Sequence, residues 1–170
     1  RIYLIVAGQM RPIPYEAVHT HQWWTEARRL QETDPSAPPS LEKIPFRPNA
    51  FRVLLSDLLF LADPNHIIRA LGQRQGSPIL FAPFTLAEAN PDWHGNYEFI
   101  DAELGSRHPH RIEPSVLARY KKAYANHFSI WKTSTQRYNA ALARVGAELN
   151  LESALHAEAI SSGALEVTNG

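Results

Sequence analysis

One run of residues, Phe51-Arg52-Val53-Leu54-Leu55-Ser56-Asp57, limits what this chain can become more than any other stretch. It is apolar, β-branched in part, and stops abruptly at a hydroxyl and a carboxylate. A short apolar run bounded by turn residues predicts a strand buried on both faces of a parallel sheet. In open α/β sheets, ligands gather at the carboxyl ends of such strands, so Ser56 and Asp57 stand where metal binding or chemistry would be placed. The same pair has a plainer reading, in which Asp57 caps the turn that follows.

The residues around this run complete a βαβ unit. Asp63 is a cap and Pro64 a first helical residue. Ile67, Ile68 and Leu71 then form the apolar side of a helix over 65–75 that closes at Gly76. Pro78 to Phe84 is a further buried strand, and strand-helix-strand at this spacing calls for a right-handed crossover between parallel partners. The fold class is therefore α/β, with a doubly wound and mostly parallel sheet.

Ahead of the unit, Ile2 to Ala7 reads as another buried strand ended by Gly8, and Met10 to Pro14 as a brief edge return, because proline cannot sit in mid-sheet. Helical spacing marks Ala17, Val18, Trp23, Trp24, Ala27 and Leu30, with Arg28 and Arg29 suited to the helix end. The stretch 31–49 holds five of the chain's 13 prolines and reads as a long surface connection.

Behind the unit, Asn96 to Glu103 alternates and turns back at Leu104-Gly105-Ser106 through His110-Arg111-Ile112, a β-hairpin insertion. One long C-terminal helix follows over 115–145, with Leu117, Tyr120, Tyr124, Phe128, Trp131, Thr135, Tyr138, Leu142 and Val145 on one stripe. It would reach roughly 45 Å, longer than a sheet of ordinary strands can cover. Such a stripe is usually core, and its overhang is the part left for a partner. Gly146 ends the helix, Ala147 to Leu151 is a last strand, and Glu152 to Val167 is a terminal helix broken near Ser161-Ser162-Gly163.

Composition excludes several functions. At 170 residues the chain suits one domain, and 44% hydrophobic content with 20% charge is that of a globular protein. Seventeen basic and 17 acidic side chains cancel, leaving no field for nucleic acid or an anionic membrane. Without cysteine there is no disulfide, thiolate metal site or cysteine nucleophile. No apolar run approaches the roughly 20 residues of a membrane helix, and no leader is visible, which points to a cytoplasmic protein. The chain opens inside a strand at Arg1, without an initiator Met, as part of a longer protein would.

Other constellations carry less. His94, His108 and His110, with Asp92, Glu98, Asp101, Glu103 and Glu113, are metal-ligand types without a recognised spacing, and they read equally as solvated hairpin side chains. His19 and His21 are two apart and diverge on a helix. Neither a glycine-rich phosphate loop nor a Gly-x-Ser-x-Gly elbow occurs. A phosphoacceptor such as that of response-regulator receivers would resemble Val53 to Asp57 locally. Receivers also need an acidic pair after the first strand, where this chain has Ala7-Gly8.

Several motifs in order resemble a known family. Arg52-Val53-Leu54-Leu55-Ser56-Asp57-Leu58-Leu59 is similar to a strand ending in Ser-Asp-Phe/Leu. Phe99-Ile100-Asp101-Ala102-Glu103-Leu104-Gly105 is similar to an Asp-x-Glu-x-Gly hairpin. A helix with Arg119-Tyr120 follows, then Ala143-Arg144-Val145-Gly146-Ala147-Glu148-Leu149. Together they resemble a bacterial branch of the von Willebrand factor A superfamily catalogued as domain of unknown function 58, over about Phe51 to Leu151 and more loosely over Ile2 to Leu30.

The resemblance implies a Rossmann-like sheet and a metal-ion-dependent adhesion site binding Mg2+, in which Asp57, with Ser56 beside it, matches the Asp after the fourth strand. The family's Asp-x-Ser-x-Ser loop is missing here, so either the first strand and that loop lie upstream of Arg1 or the site is lost. It also implies a non-enzymatic protein-interaction module acting with MoxR-type AAA+ ATPases. A receiver-like or hydrolytic domain using Asp57, and a metal-free scaffold docking through the helix 115–145, are the alternatives.

Overall fold

A computed structural model describes residues 1–6, 9–20, 22–23, 25, 40–101 and 105–167. The expectations for Ala7-Gly8, His21, Trp24, the stretch 26–39 and the turn 102–104 lie outside the described residues.

The chain begins with a hairpin of β1 (Tyr3–Val6) and β2 (Gln9–Pro12), paired antiparallel, followed by α1 (Tyr15–His19). The first strand is therefore only half-buried and does not join the parallel sheet, which corrects its reading as a buried strand. Its apolar run serves one face: Ile5 and, from β2, Met10 pack against the core. The return at Met10 is as predicted. Residues 40–49 form no helix or strand, yet Leu41, Ile44 and Phe46 are buried, so this part of the supposed surface connection is anchored in the core.

β3 (Phe51–Leu55), α2 (Pro64–Gly72) and β4 (Ser77–Phe84) form the expected unit, with β3 and β4 parallel and Val53 opposite Ile79. Asp63 caps α2 by accepting from the Asn65 amide at 2.9 Å, and Pro64 fills the first turn, where no amide partner is needed. Ile67, Ile68 and Leu71 are buried.

A short helix α3 (Leu86–Ala89) follows, closed by a capping box between Thr85 and Glu88 that the sequence reading missed. β5 (Gly95–Ile100) and β6 (Arg107–Ile112) are the predicted hairpin.

The long helix α4 (Pro114–Arg137) ends eight residues earlier than the stripe implied. Asn139 takes the left-handed conformation (φ 50°) that stops helices, and β7 (Ala141–Gly146) runs parallel beside β4. Leu142 and Val145, read as helical, are strand residues. They fall three apart, on opposite faces of the strand, a spacing that a strand apolar on both faces also produces. The last strand is accordingly 141–146 and not 147–151, and α5 (Leu151–Glu158) begins where that strand was placed. The 24 residues of α4 reach about 36 Å at 1.5 Å each, so much of the expected overhang vanishes.

The sheet order is β3-β4-β7, all parallel, with helices against it. One face carries Leu80, Ala82 and, partly buried, Leu54 and Leu142 into a cluster with Ile68 and Leu71 of α2 and Tyr124, Phe128 and Trp131 of α4. The aromatic stripe is core, as such stripes usually are. Among the described residues, the opposite face is covered only on the β7 side, where Ala143 packs with Ala159 and Ala164 and, partly buried, Ile79, Phe81 and Leu155. Among the described residues, no helix is long and apolar enough to cross a membrane.

Candidate functional site

Among the described residues β3 is an edge strand. Phe51, Val53 and Leu55 are 80%, 61% and 70% exposed, which corrects the expectation of burial on both faces. The hydrogen-bond pattern sets which way the backbone points. Ala50 accepts from the Ser77 amide and the Ser56 amide donates to Phe81, so even-numbered residues of β3 face β4. In a parallel ladder the intervening residues then turn their N–H and C=O groups outward. Phe51, Val53 and Leu55 thus present an apolar face and an open backbone edge together, with no charged side chain among them.

Arg52, by contrast, is turned inside and is 6% exposed. Its guanidinium donates to the Leu71 carbonyl at the end of α2 and, at 2.9 Å, to the Arg47 carbonyl, and it lies 4.3 Å over the Phe46 ring. The negative pole of α2 and the ring face compensate the charge in place of a carboxylate. Burial, and then the neighbouring Arg74, hold its pKa below the ordinary arginine value. Gly76 makes room: a Cβ there would fall 2.4 Å from Arg52 Cζ.

Ser56 and Asp57 sit at the carboxyl end of β3, where they were placed. Ser56 Oγ accepts from the Leu58 amide at 3.2 Å, and Asp57 Oδ1 accepts from the Leu59 amide at 3.0 Å. Both side chains cap the turn, the plainer of the two roles read from the sequence, and Asp57 is exposed. Among the described residues, no three His, Asp or Glu side chains gather as a metal would need. Two hollows of about 290 and 580 Å³ lie elsewhere, one lined by Arg69, Gly72, Gln73, Gly76 and Tyr138, the other by Ile2, Tyr3, Pro12, Ile13 and Tyr15. Asp57 lines neither of them.

No family model, curated protein or solved structure matches this chain.

The hairpin histidines are not drawn together. His108 pairs with Ser106 Oγ at 3.0 Å, His94 Nδ1 lies 3.1 Å from the Asp92 carbonyl, and the His110 ring packs near Phe99. Glu98 and Glu113 pair with Arg107 and Arg111. Glu103 lies outside the described residues. His19 packs its ring on Tyr15 at 4.2 Å.

Two features of the site escaped the sequence. Leu58, fully buried, holds a left-handed backbone (φ 62°), and its carbonyl meets His127 Nε2 of α4 at 2.7 Å. Arg144 of β7 lies between the rings of Phe84 and Phe128, each 4.1 Å away, and donates to Tyr124 Oη at 2.7 Å. Neither leaves a local signal, because the contacts join residues 69 and 20 positions apart.

Proposed function

We propose that the chain is a non-enzymatic protein-interaction module of the von Willebrand A kind, acting in the cytoplasm with a MoxR-type AAA+ ATPase. The binding surface is the open edge and bare face of β3, with Asp57 at its carboxyl end. The observation that carries the reading is the exposure of Phe51, Val53 and Leu55 on a strand whose outward amides and carbonyls have no strand partner among the described residues. An edge of that kind accepts an extended segment through main-chain hydrogen bonds, while alternate side chains settle on the apolar face. Exposed apolar surface of this sort marks interaction sites.

On this reading Asp57 contributes one oxygen toward Mg2+. Mg2+ takes six oxygen ligands, so Asp57 and Ser56 could hold it only together with further oxygen ligands from an Asp-x-Ser-x-Ser loop such as the resemblance implies; without such a loop the site is lost and the edge of β3 binds on its own. Tyr124, Phe128 and Trp131 of α4 are buried and Tyr120 partly so, so docking through the aromatic stripe has little surface left to use.

The test is titration of a MoxR-type ATPase against the full-length protein with and without magnesium. Binding weakened by Val53→Lys, and made magnesium-independent by Asp57→Ala, supports the reading. Binding indifferent to both substitutions sinks it. Incubation with acetyl phosphate and magnesium followed by intact mass addresses the alternative: an adduct on Asp57 would move the chain to the receiver-like class.

A further inference from the structure

The turn that presents Ser56 and Asp57 is held in a conformation its own residues do not favour. Leu58 has no glycine freedom, yet its φ is 62° and its side chain is fully buried. A left-handed non-glycine residue persists only where its surroundings over-determine it. Here they are few and identifiable. Ser56 Oγ takes the Leu58 amide, the Leu58 side chain lies in the main core cluster, and the Leu58 carbonyl faces His127 Nε2 at 2.7 Å. Two residues on, Phe60 sets its ring edge-on to Trp131 at 6.0 Å.

His127 Nε2 has a second neighbour, the indole nitrogen of the fully buried Trp131, 3.2 Å away. The two demands conflict. A carbonyl oxygen only accepts, so Nε2 must carry a proton to bond it; an indole N–H only donates, so Nε2 must then be bare. One nitrogen cannot serve both. The contact to the carbonyl is the shorter, and two bare acceptors at 2.7 Å repel more than two N–H groups at 3.2 Å, which favours the proton on Nε2 and leaves the indole N–H without Nε2 as its acceptor.

We infer that His127, with its proton on Nε2, is the positioning residue that pins the Leu58 carbonyl and so aims Ser56 and Asp57 along the rim of β3. The inference rests on the reading of that rim as the binding surface. It makes α4 the rigid backing of the site: its helix holds His127 and Trp131 one turn apart, and the turn after β3 is fastened to both.

The experiment uses the full chain labelled with 15N. Long-range proton–nitrogen spectra of His127 are expected to show Nε2 as the protonated nitrogen; a proton on Nδ1 with Nε2 bare overturns the inference. Amide exchange supplies the second arm. His127→Leu should speed exchange at Leu58, Leu59 and Phe60 by up to about tenfold, the worth of one hydrogen bond. His127→Gln, whose amide can reach the same oxygen, should recover most of that protection. No acceleration in His127→Leu, or equal acceleration in both variants, overturns it. If His127→Leu fails to fold, the spectrum of the unsubstituted chain still decides. None of these readouts requires a partner, so the positioning role and the binding reading fail separately.

Discussion

On one side of the parallel sheet, Leu80 and Ala82 of β4 are fully buried in a cluster with Ile68 and Trp131; on the other, Val53 of the adjacent strand is 61% exposed. The sheet is the same, and so is the apolar chemistry of the residues. What differs is the cover. α2 and α4 close the first face, whereas α5 and the residues behind it reach the second only as far as Ile79 and Phe81. The lesson is that apolar composition records what a strand tolerates, and the neighbouring layer decides whether that tolerance becomes stability or a surface for association.

The comparison can be broken most directly at Trp131. Trp131→Ala should cost about 3–5 kcal/mol in urea unfolding, the range for removing a large buried aromatic. A loss below about 1 kcal/mol would mean that the covered face is not the core of the fold.

The next effect belongs to the join between that face and α2. Gly76→Ala drives a methyl into the Arg52 guanidinium, which must move away from the Leu71 and Arg47 carbonyls. A destabilisation of about 1–3 kcal/mol is expected, as for other overpacking substitutions. Arg52→Met combined with Gly76→Ala should be less than additive, because the arginine is what the methyl strikes. Full additivity would detach the glycine from the arginine.

A pH titration reports the covered face without any substitution. Burial, foremost, raises the Tyr124 phenol above its ordinary value of 10.0, with Glu88 and Tyr120 adding to the rise and Arg144 opposing it. Its folded pKa exceeds the unfolded one, so the stabilisation is complete below about pH 10 and is lost as pH rises toward the folded value. Unfolding midpoints should fall above pH 10, and Tyr124→Phe should flatten that fall. An unchanged alkaline limb in Tyr124→Phe would place Tyr124 in contact with water.

The smallest effect should come from the bare face. Val53→Lys is expected to change stability by no more than about 0.5 kcal/mol, as for a surface position, while reducing self-association at high concentration. A loss comparable to that of Trp131→Ala would show that Val53 is covered in solution and would remove the contrast between the faces.

How far the sequence reached depends on the range of the interaction involved. The cap at Asp63, the proline at the first helical position and the apolar period of Ile67, Ile68 and Leu71 are local, and they placed α2 and its flanking strands. The hairpin Gly95–Ile112 was legible from its alternation for the same reason. At 138–146 local rules competed: the stripe continued by coincidence, and the left-handed Asn139 decided against it.

The chain's own residues determined that β3, α2 and β4 form a parallel unit and that Ser56 and Asp57 follow its first strand. The tertiary structure alone decided that β3 lies at an edge, that Arg52 points inward while Phe51, Val53 and Leu55 do not find cover, and that His127 meets the Leu58 carbonyl across 69 positions. The physical reason is that secondary structure answers to neighbours within a turn or a pleat. Burial and the aim of a side chain depend on layers that the chain brings together only after it has folded.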